Sequence, residues 1–274
     1  MLLVALVALV AASPILAAEP ASDPHYTLSN PVPANELRPL CPDNPGFGVP
    51  PCIIDAGHLM VELTAVTASF NSVAGVKSSD YALGKVLLRL GVNNSLEAYA
   101  SWTPLSIDTT SDQGQHRTNS TTGSFNVGVK QSLRNPDGAG LSVAVQPGVS
   151  IPSNGSRVSL SLALPVSQAL GGGWSLGFTP EVDALPDSIG SGTHLGGSVA
   201  MSVSYSVSAF TLSAEAYLAE DRDPVVIGHL AVANFSLSWV PPRKTNLSLY
   251  IGADFGLNGA PNDAEFYCGL SRRF

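Results

Sequence analysis

Charged residues are scarce in this chain, and long hydrophobic runs are almost absent from it. Only 12% of its 274 residues are Asp, Glu, Lys or Arg, although 45% are hydrophobic. A soluble surface needs about 25–35% charged residues, which this chain does not supply. The net charge of −8 argues against a nucleic-acid partner, because phosphates require clustered Lys and Arg. Disorder does not fit either, since disordered chains are poor in apolar residues.

The longest apolar run lies at the N-terminus, where residues 2–12 are all apolar. Such a run, followed by small residues, is typical of a secretory signal peptide. We predict a signal peptide over residues 1–18, cleaved after Ala18 or one residue earlier. No Lys or Arg precedes the run, so a short N-terminal anchor helix remains the alternative. No other run approaches the length that a membrane-spanning helix needs.

Cysteine is also rare, with three residues in the whole chain. Cys41 and Cys52 bracket a loop rich in Pro and Gly, and we expect them to form a disulfide in an oxidising compartment. A zinc site is the alternative, but no His pair lies nearby to complete it. We therefore predict no metal and no cofactor. Cys268 lies alone within an apolar strand and is expected to be inert.

The mature chain divides into two regions. Nine prolines lie between Pro20 and Pro51, a density that breaks helices and strands. Residues 19–56 are therefore predicted to be a Pro-rich extension, located in the periplasm or acting as a plug. Residues 57–274 instead alternate between apolar and small polar side chains, as over residues 141–151 and 247–257. A period of two is typical of β-strands with one apolar and one polar face.

Twelve such segments can be counted, and most are ten residues or longer, as membrane-spanning strands must be. Their approximate limits are 57–70, 81–92, 95–103, 122–133, 140–150, 157–168, 174–183, 194–207, 210–219, 225–239, 246–257 and 263–274. Short turns alternate with longer links, the largest being residues 104–121, as in outer-membrane barrels. We predict an all-β fold, a transmembrane antiparallel up-and-down β-barrel of about 12 strands in the bacterial outer membrane. A soluble secreted β-sandwich that binds a ligand is the alternative.

The C-terminal residues follow the pattern that the outer-membrane insertion machinery recognises. Tyr267, Gly269 and Phe274 occupy the positions that this signal requires. Arg272 departs from the pattern, because an apolar residue is usual two positions before the terminal Phe. Outer-membrane lipid and the insertion machinery are accordingly the expected partners.

Several segments resemble the outer-membrane transporters grouped under the meta-pathway of phenol degradation. They are residues 39–48 (PLCPDNPGFG), 49–51, 55–62 (DAGHLMVE), 96–97, 101–104 (SWTP), 172–177 (GGWSLG), 251–258 (IGADFGLN), 260–261 and 269–274 (GLSRRF). The resemblance implies a barrel of about a dozen strands that transports small, often hydrophobic or aromatic molecules. Asn44 departs from the family, where Arg is frequent, which weakens any charge interaction inferred for this position. The alternative is a non-conducting structural or biogenesis protein.

The polar face of each strand would line the lumen, where ionisable residues are the first candidates for function. Read by alternation, this face holds Glu62, Arg89, Glu97, Lys130, Glu181, Asp183, Glu215, Tyr250 and Asp254. Acids outnumber bases here, and Glu62 and Asp254 rank highest because they lie in the family-like segments. Either these side chains contact a solute, or they form a structural network that fills a narrow barrel.

Three further features complete the sequence interpretation. The Cys41–Cys52 loop would be either a periplasmic tether or a plug in the lumen.

Trp102, Trp174 and Trp239 lie near strand ends, where indoles favour the membrane interface. Residues 173–177 match the G-x-S-x-G pattern of hydrolases, but they open a strand instead of forming the strand-to-helix elbow that this motif requires. We therefore predict that the protein is not an enzyme.

Overall fold

The computed structural model describes residues 25–73, 75–112, 115–259 and 262–274. The predicted signal peptide, residues 1–18, lies outside the described residues. No helix long and apolar enough to cross a membrane occurs within these four ranges. The strands of the single sheet are β1 (Leu59–Val73), β2 (Val76–Gly91), β3 (Leu96–Trp102), β4 (Leu105–Asp112), β5 (Gln115–Thr121), β6 (Phe125–Arg134), β7 (Leu141–Ile151), β8 (Ser159–Ala163), β9 (Val166–Gly171), β10 (Trp174–Pro186), β11 (Thr193–Val207), β12 (Phe210–Arg222), β13 (Ile227–Trp239), β14 (Leu247–Gly256) and β15 (Ala264–Arg273).

The sheet closes into a barrel, because β1 pairs antiparallel with both β2 and β15. Three strands of the barrel are each interrupted once. The first consists of β3 and β4, which lie end to end and both pair with β2. The second consists of β6 and β5, which pair with β3 and β4, respectively. The third consists of β8 and β9, which lie between β7 and β10. When each interrupted strand is counted once, the barrel has twelve antiparallel strands. The predicted fold class is therefore confirmed.

Two of the interruptions contain proline. Pro104 separates β3 from β4, and Pro165 separates β8 from β9. Proline has no backbone N–H to donate to a ladder, so regular pairing stops at these positions. The carbonyls beside them are still used. Thr103 O accepts from Gly123 N at 2.8 Å, and Pro165 O accepts from Ala144 N at 2.9 Å. The barrel wall thus stays hydrogen-bonded across both breaks.

The prediction that residues 104–121 form the largest link between strands is wrong. These residues form the hairpin of β4 and β5, which extends the barrel wall, and every residue of β5 is exposed. β1 and β2 also extend past the predicted limits, to Val73 and from Val76. The physical reason is that apolar alternation marks only the part of a strand that faces lipid. Beyond that depth, Ser- and Thr-rich strands continue without an apolar face.

The outer surface of the barrel is apolar. Leu162, Phe235 and Ile251 are 52%, 55% and 58% exposed, whereas the neighbouring Asn234 is only 1% exposed. This reverses the burial pattern of a soluble protein, because the apolar side chains point out and the polar ones point in. An exposed apolar surface of this extent needs lipid around it.

The three tryptophans lie on the outside at strand ends, all exposed. Trp102 ends β3, Trp174 begins β10 and Trp239 ends β13. Two of them meet other rings, since Trp174 lies 4.8 Å from Tyr205 and Trp239 lies 6.3 Å from Phe210, measured between ring centroids. These positions suit side chains with an apolar body and a polar tip at the edge of the lipid.

Candidate functional site

Residues 38–55, which we call the inner segment, lie inside the barrel. The segment hydrogen-bonds to Glu62 on β1 and, through Val49 O, to the Thr179 hydroxyl on β10 at 3.1 Å. Five barrel strands separate β1 from β10 in either direction. The segment therefore crosses the lumen from one wall to the opposite wall. Its last residues are also buried, including Ile53, Ile54 and Asp55.

Three inward carboxylates hold the backbone of the inner segment. Glu62 accepts from the N–H groups of Asp43 and Asn44, both at 2.9 Å. Glu97 accepts from Ile54 N at 2.8 Å. Each is a charge-assisted bond to a backbone group that the Pro-rich segment cannot satisfy by secondary structure. The Asn44 side chain also donates to Glu62 at 3.1 Å, so this departure from the family pattern retains a polar contact.

Glu215 on β12 is the third carboxylate. Its two oxygens accept from Phe47 N at 2.5 Å and from Gly48 N at 3.0 Å. The Phe47 ring stacks on Tyr217 of the same strand, with centroids 4.5 Å apart. A Cβ at Gly48 would lie 2.8 Å from a Glu215 oxygen. A side chain at this position would therefore displace the carboxylate from its bonds to the inner segment.

Arg89 on β2 lies at the centre of the site and is fully buried. Its guanidinium binds Glu97 through two nitrogens at 2.8 and 3.0 Å, and Glu62 at 3.1 Å. The same group donates to the carbonyls of Cys41 at 2.7 Å and Cys52 at 3.3 Å. One planar fork thus joins two barrel strands to both ends of the disulfide loop, a geometry that lysine cannot reproduce.

Lys130 on β6 completes this buried network. Its ammonium lies 2.8 Å from Asp43 and 3.4 Å from Glu97, and Asp43 also lies 2.8 Å from Arg89. Three carboxylates, those of Asp43, Glu62 and Glu97, thus face two cations. Buried charges are tolerated only when paired and hydrogen-bonded in this way.

A second charged group joins the inner segment to the closing strand. Asp55 lies 2.9 Å from the Arg273 guanidinium on β15 and 3.6 Å from Arg38. Sequence reasoning missed all three of these residues, and it also missed Asp43. Asp43, Asp55 and Arg273 did lie in family-like segments, whereas Arg38 lay outside them. Alternation along β15 would have placed Arg273 on the inward face.

Cys41 and Cys52 form the predicted disulfide. It closes the loop that carries Asp43, Asn44, Phe47 and Gly48, the residues held by the barrel wall. The loop is thus an internal element of the barrel in this structure. Cys268 on β15 is free and partly exposed.

The remaining lumen candidates also point inward but do not touch the inner segment through a hydrogen bond. Tyr250 bonds to the Thr64 hydroxyl at 2.8 Å, and Asp254 accepts from the Asn234 amide at 2.5 Å. Glu181 and Asp183 lie two residues apart on β10 and are half-buried. The predicted lumen set therefore separates into residues that hold the inner segment and residues that leave it free.

The residues of the predicted insertion signal occupy the last strand. Tyr267 points inward and accepts from the Asn234 amide at 2.5 Å. A Cβ at Gly269 would collide with Leu63 O and the Tyr250 hydroxyl, so the inward ring of Tyr250 requires glycine opposite it. Phe274 is exposed on the outside, with Arg272 4.7 Å from its ring centroid. Recognition by the insertion machinery stays a prediction.

Two cavities flank the inner segment within the lumen. One of about 360 Å³ is lined by the segment and by serines, Glu215 and Asn234 of β10 to β14, and one of about 200 Å³ lies on the side of Lys85, Tyr99 and Gln146. Ser175 of the G-x-S-x-G match lies within β10, with no elbow around it. In the described ranges, no group of three or more His, Cys, Asp or Glu side chains is placed to hold a metal ion.

Comparisons with solved structures agree with this architecture. An outer membrane channel from Pseudomonas putida F1 superposes with a TM-score of 0.58 and 12% identity, covering 79% of this chain and 94% of the channel. The fold is that of an outer-membrane β-barrel. The NanC porin matches with a TM-score of 0.50 and 16% identity, over 78% of this chain and 98% of its own. The translocator domain of autotransporter NalP from Neisseria meningitidis gives 0.51 and 14%, over 85% and 90%.

Sequence-based comparisons add nothing to this. No family model matches the chain, and no curated protein is significantly similar to it. The resemblance to the phenol-degradation family is therefore not confirmed. The structural likeness supports the barrel fold and carries no information on the solute.

Proposed function

We propose that the protein is a passive outer-membrane channel for small solutes and that the inner segment forms its constriction. The observation that carries this proposal is the path of residues 38–55, which cross the lumen between β1 and β10. A twelve-stranded barrel is wider than the solid eight-stranded kind and narrower than general porins. A segment fixed across it would leave the two side cavities as routes for passage.

The lining of these cavities bears on the solute class. The wall of the larger one carries Ser175, Ser202, Ser213, Ser236 and Ser248 together with Glu215 and Asn234. The hydroxyls of this wall solvate polar solutes, whereas Leu40, Val49 and Leu176 in the same lining are apolar. The hydrophobic or aromatic solutes implied by the family resemblance therefore form the second arm of the test.

Solute entry into proteoliposomes tests the proposal. Purified protein is refolded into vesicles, and swelling is followed in arabinose, raffinose and benzoate beside protein-free vesicles. We expect arabinose to enter faster than in protein-free vesicles and raffinose to be excluded. Entry of benzoate ahead of arabinose would favour the aromatic interpretation. Absence of any protein-dependent entry would contradict the channel and favour the non-conducting structural role.

A variant of Glu215 tests the constriction. Glu215→Ala removes both acceptors that hold Phe47 N and Gly48 N, so the hydrogen bonds that fix the middle of the inner segment to β12 are lost. We expect raffinose to enter vesicles that hold this variant. The matched control is Glu36→Ala, which removes an exposed carboxylate bonded to the Tyr26 hydroxyl and should leave raffinose excluded. Exclusion of raffinose by both variants would contradict the assignment of Glu215 as the residue that keeps the constriction narrow.

A further inference from the structure

Five acids lie on a single row that runs across the strands of the barrel. In the antiparallel register Asp108 faces Asp80, Asp80 faces Ser69, Ser69 faces Glu265, Glu265 faces Asp254, Asp254 faces Asn234, and Asn234 faces Glu215. We call these residues the acidic row. It leads from the β4–β5 hairpin at one end of the barrel to Glu215 beside the inner segment.

At two places in this row, two acids face each other directly. Asp80 lies directly opposite Asp108, and Asp254 lies directly opposite Glu265. Like charges at such positions, with Cβ atoms about 5 Å apart, destabilise a sheet. In the described part of the chain, none of the five carboxylates forms an ion pair with Lys, Arg or His. A proton shared within each pair, or a cation from the lumen, would relieve this repulsion.

Buried polar atoms without a hydrogen-bond partner among the described residues lie where the row meets the larger cavity. Asn234 donates its amide N–H groups to Asp254 and Tyr267, which fixes the amide orientation and leaves its carbonyl oxygen as an acceptor. That oxygen is buried and has no hydrogen-bond partner among the described residues, and the same holds for the Ser236 hydroxyl two residues along β13. Asn234 is 1% exposed and Ser236 8%. Both line the cavity of about 360 Å³ together with Glu215.

The constriction itself contributes no opposing field. Its four acids, Asp43, Asp55, Glu62 and Glu97, are matched by Arg38, Arg89, Lys130 and Arg273. The acidic row therefore dominates the potential on its side of the lumen. Lys85 is the inward cation that lines the opposite cavity.

We infer that the acidic row is a path for small monovalent cations, such as alkali-metal or alkylammonium ions, which ends at a binding position formed by Glu215, Asn234 and Ser236. This inference rests on the proposed channel function and adds the class of solute that it favours. A narrow lumen lined by one sign of charge concentrates counter-ions and repels co-ions.

The reversal potential of single channels tests the inference. Full-length mature protein is inserted into a planar bilayer with a gradient of KCl, and the measurement is repeated with methylammonium chloride. We expect both cations to permeate better than chloride. The charge-removing variant Asp80→Asn/Glu265→Gln should lower the cation-to-anion permeability ratio about tenfold, the low end of the effect of a charged cleft. The matched control Asp137→Asn/Glu36→Gln also removes two charges but lies off the row, and it should leave the ratio unchanged.

The outcomes separate the two proposals. If the wild-type protein gives no channels, the channel function itself fails. If it conducts but chloride permeates as well as potassium, only the cation path is overturned, and this result needs no variant. An equal drop in the row variant and its control would also overturn it.

Discussion

At the scale of single residues, Arg89 organises the interior of this barrel. Its five donors reach two carboxylates on neighbouring strands and both carbonyls that flank the disulfide loop. Desolvating a guanidinium is costly, and only this complete set of partners compensates for it. Without the Arg89 guanidinium, the buried carboxylates of Asp43, Glu62 and Glu97 would share the Lys130 ammonium as their one cation.

We predict that Arg89→Ala lowers the free energy of unfolding by about 3–5 kcal/mol, the cost of breaking a buried ion pair. Urea unfolding in detergent micelles measures the change. The matched control is Arg222→Ala, because Arg222 pairs with Glu220 at 2.6 Å on the surface with both side chains exposed. Exposed pairs contribute less than about 1 kcal/mol. Similar losses in the two variants would contradict the assigned role of Arg89.

At the scale of elements, the hairpin of β4 and β5 differs from the rest of the wall. It pairs with the first half of β2, yet β5 is exposed along its whole length. An element without a buried or lipid-facing side contributes little apolar burial to stability. The rest of the barrel wall is continuous without the hairpin, because β2 pairs with β3 and β3 pairs with β6.

We therefore expect the barrel to tolerate a shorter hairpin. Replacing residues 109–118 by Asn-Gly, a turn that suits two-residue hairpins, should leave the fold intact. The measurement is migration on a detergent gel, where a folded barrel moves differently before and after boiling. A chain that migrates at its boiled position without boiling would show that the hairpin is needed for folding. Asp108 remains in this variant, so the acidic row is retained.

The inner segment shows how far an element can be predicted. Alternation has a local origin, since each strand residue alternates faces, and it placed Glu62, Arg89, Glu97 and Lys130 inward. The path of a Pro-rich segment has no such periodicity. Its anchors are contacts between distant positions, such as Asp55 with Arg273, which are 218 residues apart in the chain. Single-sequence patterns carry no record of such pairs.

At the scale of the whole molecule, the barrel is a closed wall with an apolar exterior and a charged interior. The number of strands followed from the sequence because lipid imposes the same length and alternation on each of them. The limits beyond the lipid did not, because residues 104–121 are polar and still form strands. Apolar alternation in the sequence thus shows which part of a strand faces lipid, but it does not show where the strand ends.

This view predicts where the tryptophans lie relative to the bilayer. Trp102, Trp174 and Trp239 are on the outer surface at strand ends, so brominated lipids should quench the fluorescence of all three. Single-Trp variants, with the other two replaced by Phe, assign the signal to each position. Quenching should be strongest when bromine lies near the headgroups. Emission that is insensitive to brominated lipid would contradict the placement of the barrel in a bilayer.

The ion pair of Asp55 and Arg273 has a consequence for the wall itself. Asp55 precedes β1, and Arg273 lies on β15, the strand that meets β1 and completes the cylinder. His58 adds a second tie across this seam, with its ring nitrogens 2.8 Å from Val32 O and 2.9 Å from Phe274 O. The interior and the seam are therefore one cooperative unit. A barrel unzipped between its first and last strands would release its inner segment from that side, and an inner segment pulled outwards would strain the seam.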